Sequence, residues 1–128
     1  MKLSLLSITV LIAAICLGTG CHTHGVAQIG EDNSINVSVN EEFILTLDTD
    51  ATNGYSWYES HDPMMLELVG RTYRKGEHTK PELSGSTGGV EYFSYKALKT
   101  GETEIIMTYE RPWYKETIKQ EAFTVNIH

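Results

Sequence analysis

From residue 34 to the C-terminus, apolar side chains recur at every second position. Ile35, Val37 and Val39 alternate with Asn36, Ser38 and Asn40, and Phe43, Leu45 and Leu47 alternate with Glu42, Ile44 and Thr46. A period of two buries one face and leaves the other wet, so both runs read as strands. Tyr55-Ser56-Trp57 opens a third strand, Leu66-Glu67-Leu68 a fourth reaching toward Tyr73, and Val90 to Leu98 a fifth. Thr103, Ile105, Met107 and Tyr109 mark a sixth; Phe123, Val125 and Ile127 mark a seventh. Asp62-Pro63-Met64-Met65 suggests a single helical turn, and no long helical pattern interrupts the series. About seven short strands separated by turn signals predict an all-β, immunoglobulin-like β-sandwich, with an all-β barrel as the alternative.

The first residues follow a different pattern. Lys2 precedes a mostly apolar run over residues 3–17, and Gly18-Thr19-Gly20 then leads into Cys21. A run this short suits a signal peptide over residues 1–20 better than a membrane-spanning helix, which needs roughly 20 apolar residues. Small residues directly before a cysteine resemble a bacterial lipobox, although Gly18 stands where an aliphatic residue is usual. The expectation is an exported protein, in the cell envelope or outside it, with Cys21 as the lipidation site. Residues 21–33 then form a polar tether, and any membrane contact runs through the lipid. Residues 34–128 form the domain.

This division bears on the cysteines and the charge. Cys16 leaves with the signal peptide and Cys21 sits at the processing site, so no pair remains for a disulfide inside the domain. Residues 1–20 carry Lys2 and no acid, so their removal takes the formal charge from −7 to −8. An acidic domain without a basic stripe repels phosphate backbones and is a poor nucleic-acid binder. About 100 residues suffice for one core and one domain, expected to act as a monomer.

Catalytic chemistry finds little to work with. His22 and His24 lie in the tether, His78 in a polar loop, and His128 is the last residue; His61 completes the set. There is no Gly-x-Ser-x-Gly elbow and no thiol to pair with a histidine. His22-Thr23-His24 supplies two potential metal ligands where zinc needs three or four. The reading is a non-enzyme that calls for no metal and no cofactor.

The unusual residues lie between strands instead. Asp50-Ala51-Thr52-Asn53-Gly54-Tyr55 follows the second strand, and Asn53-Gly54 favours a tight turn with positive φ. Gly85-Ser86-Thr87-Gly88-Gly89 precedes the fifth strand, where adjacent glycines permit either a sharp turn or a close backbone approach. Tyr109-Glu110-Arg111-Pro112-Trp113-Tyr114 joins the last two strands and puts Arg111 and Trp113 at a loop tip. Trp and Arg are common binding anchors, though an indole there also suits folding back over the domain's own end. In a seven-strand Greek key these three connections emerge at the same pole, which is the layout of a binding end on a rigid scaffold.

These stretches resemble the chagasin family of cysteine peptidase inhibitors, whose three loop motifs run Asn-Pro-Thr-Thr-Gly-Tyr, Gly-x-Gly-Gly and Arg-Pro-Trp. The third is complete at Arg111-Pro112-Trp113, and the second is present as Ser86-Thr87-Gly88-Gly89, with serine for the first glycine. The first keeps Thr52, Gly54 and Tyr55, with Asp50 and Ala51 in place of Asn and Pro. The resemblance implies an immunoglobulin-like sandwich and reversible inhibition of papain-like cysteine peptidases. It further implies that Thr52-Asn53-Gly54-Tyr55 enters the catalytic centre and that Ser86-Thr87-Gly88-Gly89 lies along the substrate cleft. Arg111-Pro112-Trp113 would grip the far side. A non-inhibitory cell-surface module using the same loops, or a purely structural envelope lipoprotein, are the rival readings.

Overall fold

The computed structural model describes residues 29–50, 54–81, 88–111, 113 and 116–128. Seven strands occupy them: β1 (Ser34–Val37), β2 (Glu42–Thr49), β3 (Ser56–His61), β4 (Leu66–Lys75), β5 (Gly89–Ala97), β6 (Gly101–Arg111) and β7 (Glu116–Ile127). They form one four-stranded sheet in the order β1-β7-β6-β3 and one three-stranded sheet in the order β2-β5-β4. Every ladder is antiparallel except β1 on β7. This is the all-β, immunoglobulin-like sandwich that the alternation predicts, with no helix among the described residues. Both cysteines lie outside those residues, so no disulfide joins the described strands.

The alternating positions supply the core. Phe43, Leu45 and Leu47 from β2, Phe93, Tyr95 and Ala97 from β5, and Leu66 from β4 face Ile35 and Val37, Trp57, Ile105 and Met107, and Phe123, Val125 and Ile127 of the other sheet. Phe43 stacks on Tyr95 with ring centroids 5.5 Å apart. Trp57 is fully buried, and its indole N–H donates to the Asp48 carbonyl at 2.8 Å, so no polar atom of the ring is stranded. Asp62 to Met65 makes the expected turn, with the Asp62 carbonyl accepting from the N–H groups of Met65 and Leu66.

Several strands are longer or shorter than the alternation suggests. β7 starts at Glu116, well before Phe123, because its first half is fixed by the ladder with β6 rather than by burial. Thr117, Ile118, Lys119 and Gln120 are all exposed, so no alternation marks them. β4 runs on to Lys75, paired with Gly89. β1 stops at Val37; Asn40, at φ 68, turns the chain toward β2.

Between the edges of β3 and β4 the two sheets are joined by polar groups. Glu91 alternates with Phe93 and Tyr95, so it points inward and is buried. Arg71 meets it from β4, with Nε donating to Oε2 at 2.7 Å, and Nη2 donates to the Trp57 carbonyl at 2.9 Å and the Ser56 hydroxyl at 3.2 Å. The guanidinium also lies 4.9 Å from the Phe93 ring centroid. Nearer the other pole, the Tyr95 hydroxyl donates across the gap to Glu59 Oε2 at 3.1 Å, and His61 Nδ1 lies 2.6 Å from the same oxygen. Burial, reinforced by the Glu59 carboxylate, pushes the Tyr95 phenol well above its ordinary pKa, so it remains a donor.

Removing Arg71 strands a buried carboxylate, whereas removing both partners does not. The Arg71 side chain is 42% exposed, so the cost falls below that of a fully enclosed pair. Arg71→Ala is expected to lower unfolding stability by about 2 kcal/mol. Arg71→Met with Glu91→Leu should recover most of it, as read in a urea-denaturation double-mutant cycle.

Candidate functional site

The register fixes which loops share a pole. Thr49, at the end of β2, and Lys75, at the end of β4, both pair with Gly89 at the start of β5. Ser56, at the start of β3, pairs with Glu110, and Arg111, at the end of β6, pairs with Glu116. The β2–β3, β4–β5 and β6–β7 connections therefore leave the sandwich at one end.

Contacts among the described flanks tie the three together. The Asp50 N–H donates to the Tyr109 hydroxyl at 2.7 Å, and the Tyr109 ring stacks on Tyr55 at 5.3 Å and tilts against Trp57 at 4.7 Å. Arg111 Nη2 donates to the Tyr55 hydroxyl at 2.5 Å, with Cζ 4.5 Å from that ring centroid. Lys119 Nζ lies 5.1 Å from the Trp57 centroid and 5.7 Å from that of Tyr109. A column of rings thus rises from the core to the rim, capped by cations that the electron-rich ring faces attract.

The β4–β5 connection is anchored on the outer face of its sheet. Asp48 Oδ1 accepts from the Thr79 N–H at 2.9 Å, and its second oxygen accepts from the Thr79 hydroxyl. The Tyr92 hydroxyl donates to Glu77 at 2.5 Å, and that hydrogen bond holds the phenol pKa above its ordinary value. Val90 sits between Asp48 and Tyr92 on this face and is buried.

The sequence-predicted residues divide accordingly. Thr52, Asn53, Ser86, Thr87, Pro112 and Cys21 lie outside the described residues. Gly54 has φ 81, the left-handed turn that Asn53-Gly54 suggests, and its nearest neighbour is Arg111 Cγ. Trp113 is 85% exposed, so the indole does not fold back over the domain. Arg111 departs from expectation. It is the last residue of β6, half-buried and held on Tyr55, because the ladder with β7 extends further than the alternation. Gly88 and Gly89 allow close approach, but to the chain's own backbone. A Cβ on Gly89 would lie 2.2 Å from the Arg74 carbonyl oxygen, and one on Gly88 would lie 2.4 Å from that of Thr49.

Sequence reasoning missed Tyr109 as a contact of the β2–β3 loop and Asp48 as the anchor of the β4–β5 segment. Tyr109 could have been found by extending the β6 alternation to the rim; nothing in the sequence pairs Asp48 with Thr79. His61 and Glu59 lie together on β3, but His61 is at the opposite end of the strand from the rim. Among the described residues no group of three or more His, Cys, Asp or Glu side chains is placed to hold a metal ion.

The family model described as Chagasin family peptidase inhibitor I42 matches residues 36–127. The chain belongs to the chagasin family. Amoebiasin-2 of Entamoeba histolytica is 25% identical over 122 residues, covering 92% of this chain and 96% of that protein. Chagasin of Trypanosoma cruzi is 27% identical over 109 residues, covering 80% of this chain and 94% of its own. The crystal structure of the cysteine protease inhibitor EhICP2 from Entamoeba histolytica superposes with a TM-score of 0.63 at 27% identity, covering 74% of this chain and 86% of that one. The solution structure of amebosin gives a TM-score of 0.51 at 30% identity, covering 77% and 93%. In this chagasin-family chain, the described parts of all three motifs stand at the same rim.

The glycines separate two kinds of constraint. Gly89→Ala forces β5 away from β4 and is expected to cost about 2–3 kcal/mol, as overpacking does. Gly54→Ala meets only Arg111 Cγ at 3.7 Å, an ordinary contact, so its main cost is the left-handed backbone, about 1 kcal/mol. Thermal melts of the two variants should rank them in that order.

Proposed function

We propose that this domain is a reversible inhibitor of papain-like cysteine peptidases, plugging the substrate cleft with the rim built from its three loops. The supporting observation is that the family's three motif regions flank one pole, with an 85%-exposed indole at Trp113. A wedge of turns occludes a groove without threading an extended peptide bond past the nucleophile, so it blocks without being cut. In this reading Thr52-Asn53-Gly54-Tyr55 enters the catalytic centre and Ser86-Thr87-Gly88-Gly89 follows the cleft. Trp113, with Arg111 and Pro112, docks on the far wall. Amoebiasin-2, chagasin and EhICP2 are the relatives that lend the reading its target class.

The protein acts as a monomer after export, with residues 1–20 removed. Cys21 carries the lipid that holds the domain at the envelope surface, a proposal that rests on Gly18-Thr19-Gly20-Cys21 alone. Mass spectrometry of the mature N-terminus checks it; an unmodified chain beginning elsewhere would remove the anchor.

Titration against a panel of papain-like peptidases tests the main reading, with sub-micromolar inhibition and an intact inhibitor expected. Absence of inhibition throughout the panel at tens of micromolar would sink it. Trp113→Ala should weaken binding by about 2 kcal/mol or more, as loss of a buried aromatic anchor does. The melting temperature should stay put, because the indole packs on little of its own chain.

A further inference from the structure

The β2–β3 loop is gripped at both ends by two side chains of one strand. At its entry, the Asp50 N–H donates to the Tyr109 hydroxyl at 2.7 Å. At its exit, Tyr55 is stacked on the Tyr109 ring at 5.3 Å and accepts a hydrogen bond from Arg111. Tyr109 itself is part-buried against the core and leans on the fully buried Trp57 at 4.7 Å. Four residues further along the same chain stands Trp113. A single phenol therefore links the core, both feet of the first loop and the strand that delivers the third.

We infer that Tyr109 is a positioning residue for inhibition: its hydroxyl and ring hold Asp50 and Tyr55, the two feet of the β2–β3 loop, before the loop meets the peptidase. The inference rests on the inhibitor reading above and adds to it a residue that makes no contact with the enzyme. The physical basis is the ordering cost of binding. Each restraint on a loop's feet that is in place before binding lowers the ordering cost of the encounter, and each one removed raises it. The hydroxyl is the informative atom, because Tyr109→Phe keeps the ring stack and the packing and deletes only the bond to Asp50.

Two measurements test this. Amide hydrogen exchange on the free protein should show the Asp50 N–H exchanging faster in Tyr109→Phe, with the core amides of β6 unchanged. Inhibition of papain should weaken about fivefold to tenfold, the loss of one well-formed hydrogen bond. That loss should persist in a Trp113→Ala background and shrink toward nothing where Thr52→Gly and Asn53→Gly have already loosened the loop. Unchanged Asp50 exchange overturns the inference whether or not the protein inhibits. Equal losses in all three backgrounds overturn it too, since they would mark a general structural effect. Faster Asp50 exchange in a protein that never inhibits papain or its relatives would uphold the strut and remove the inhibitor reading instead.

Discussion

The alternation on β6 is the constraint from which the rest of the molecule follows. One face of this strand carries Ile105 and Met107, both fully buried, then Tyr109 at the margin of the core, then Arg111 at the rim. These residues point the same way because successive side chains of a strand alternate sides. Slipping the pairing by one residue would move that whole face outward, exchanging the core residues for Ile106 and Thr108. The register that builds the core is therefore the register that aims the rim, and the two cannot drift independently.

The neighbouring strands accommodate this without disturbing it. On β7 the ladder skips Ile118, where the pairing passes from Tyr109↔Lys119 to Glu110↔Thr117. The extra residue lies on β7, so β6 keeps its alternation to the end. Across the sandwich, Arg71 and Tyr95 carry hydrogen bonds from one sheet to the other along the side where β3 and β4 have no further partner. A domain of roughly 100 residues has modest core to spare, and such cross-sheet bonds hold the two layers in one relative position.

The fold was largely legible in the sequence because most strands have one dry face and one wet face, and a period of two is the direct imprint of that. It failed where the imprint is absent. The first half of β7 is exposed on both sides, so residues 117–120 read as loop although all but Ile118 are paired with β6. Arg111 reads as a loop-tip residue for the same reason, since the end of β6 depends on that hidden half. Glu91 breaks the apolar pattern of an inward face, and its partner Arg71 lies 20 residues away, a pairing only the folded chain reveals. The candidate site was legible in its motifs, whose order and spacing need no structure. The work done by the paired glycines was not, because a sequence can show that a Cβ is missing without showing what occupies its place.

That last point sets a boundary for anyone wishing to transplant loops within this family. Upstream, the described part of the β4–β5 connection is tied down through Thr79 on Asp48 and Glu77 on Tyr92. Its return to the sheet is fixed at Gly88, where the carbonyl of Thr49 fills the space a side chain would need, and Arg74 does the same at Gly89. A graft that carries any other residue across that junction changes the spacing of the sheet beneath it, and with it the footing of the other two loops.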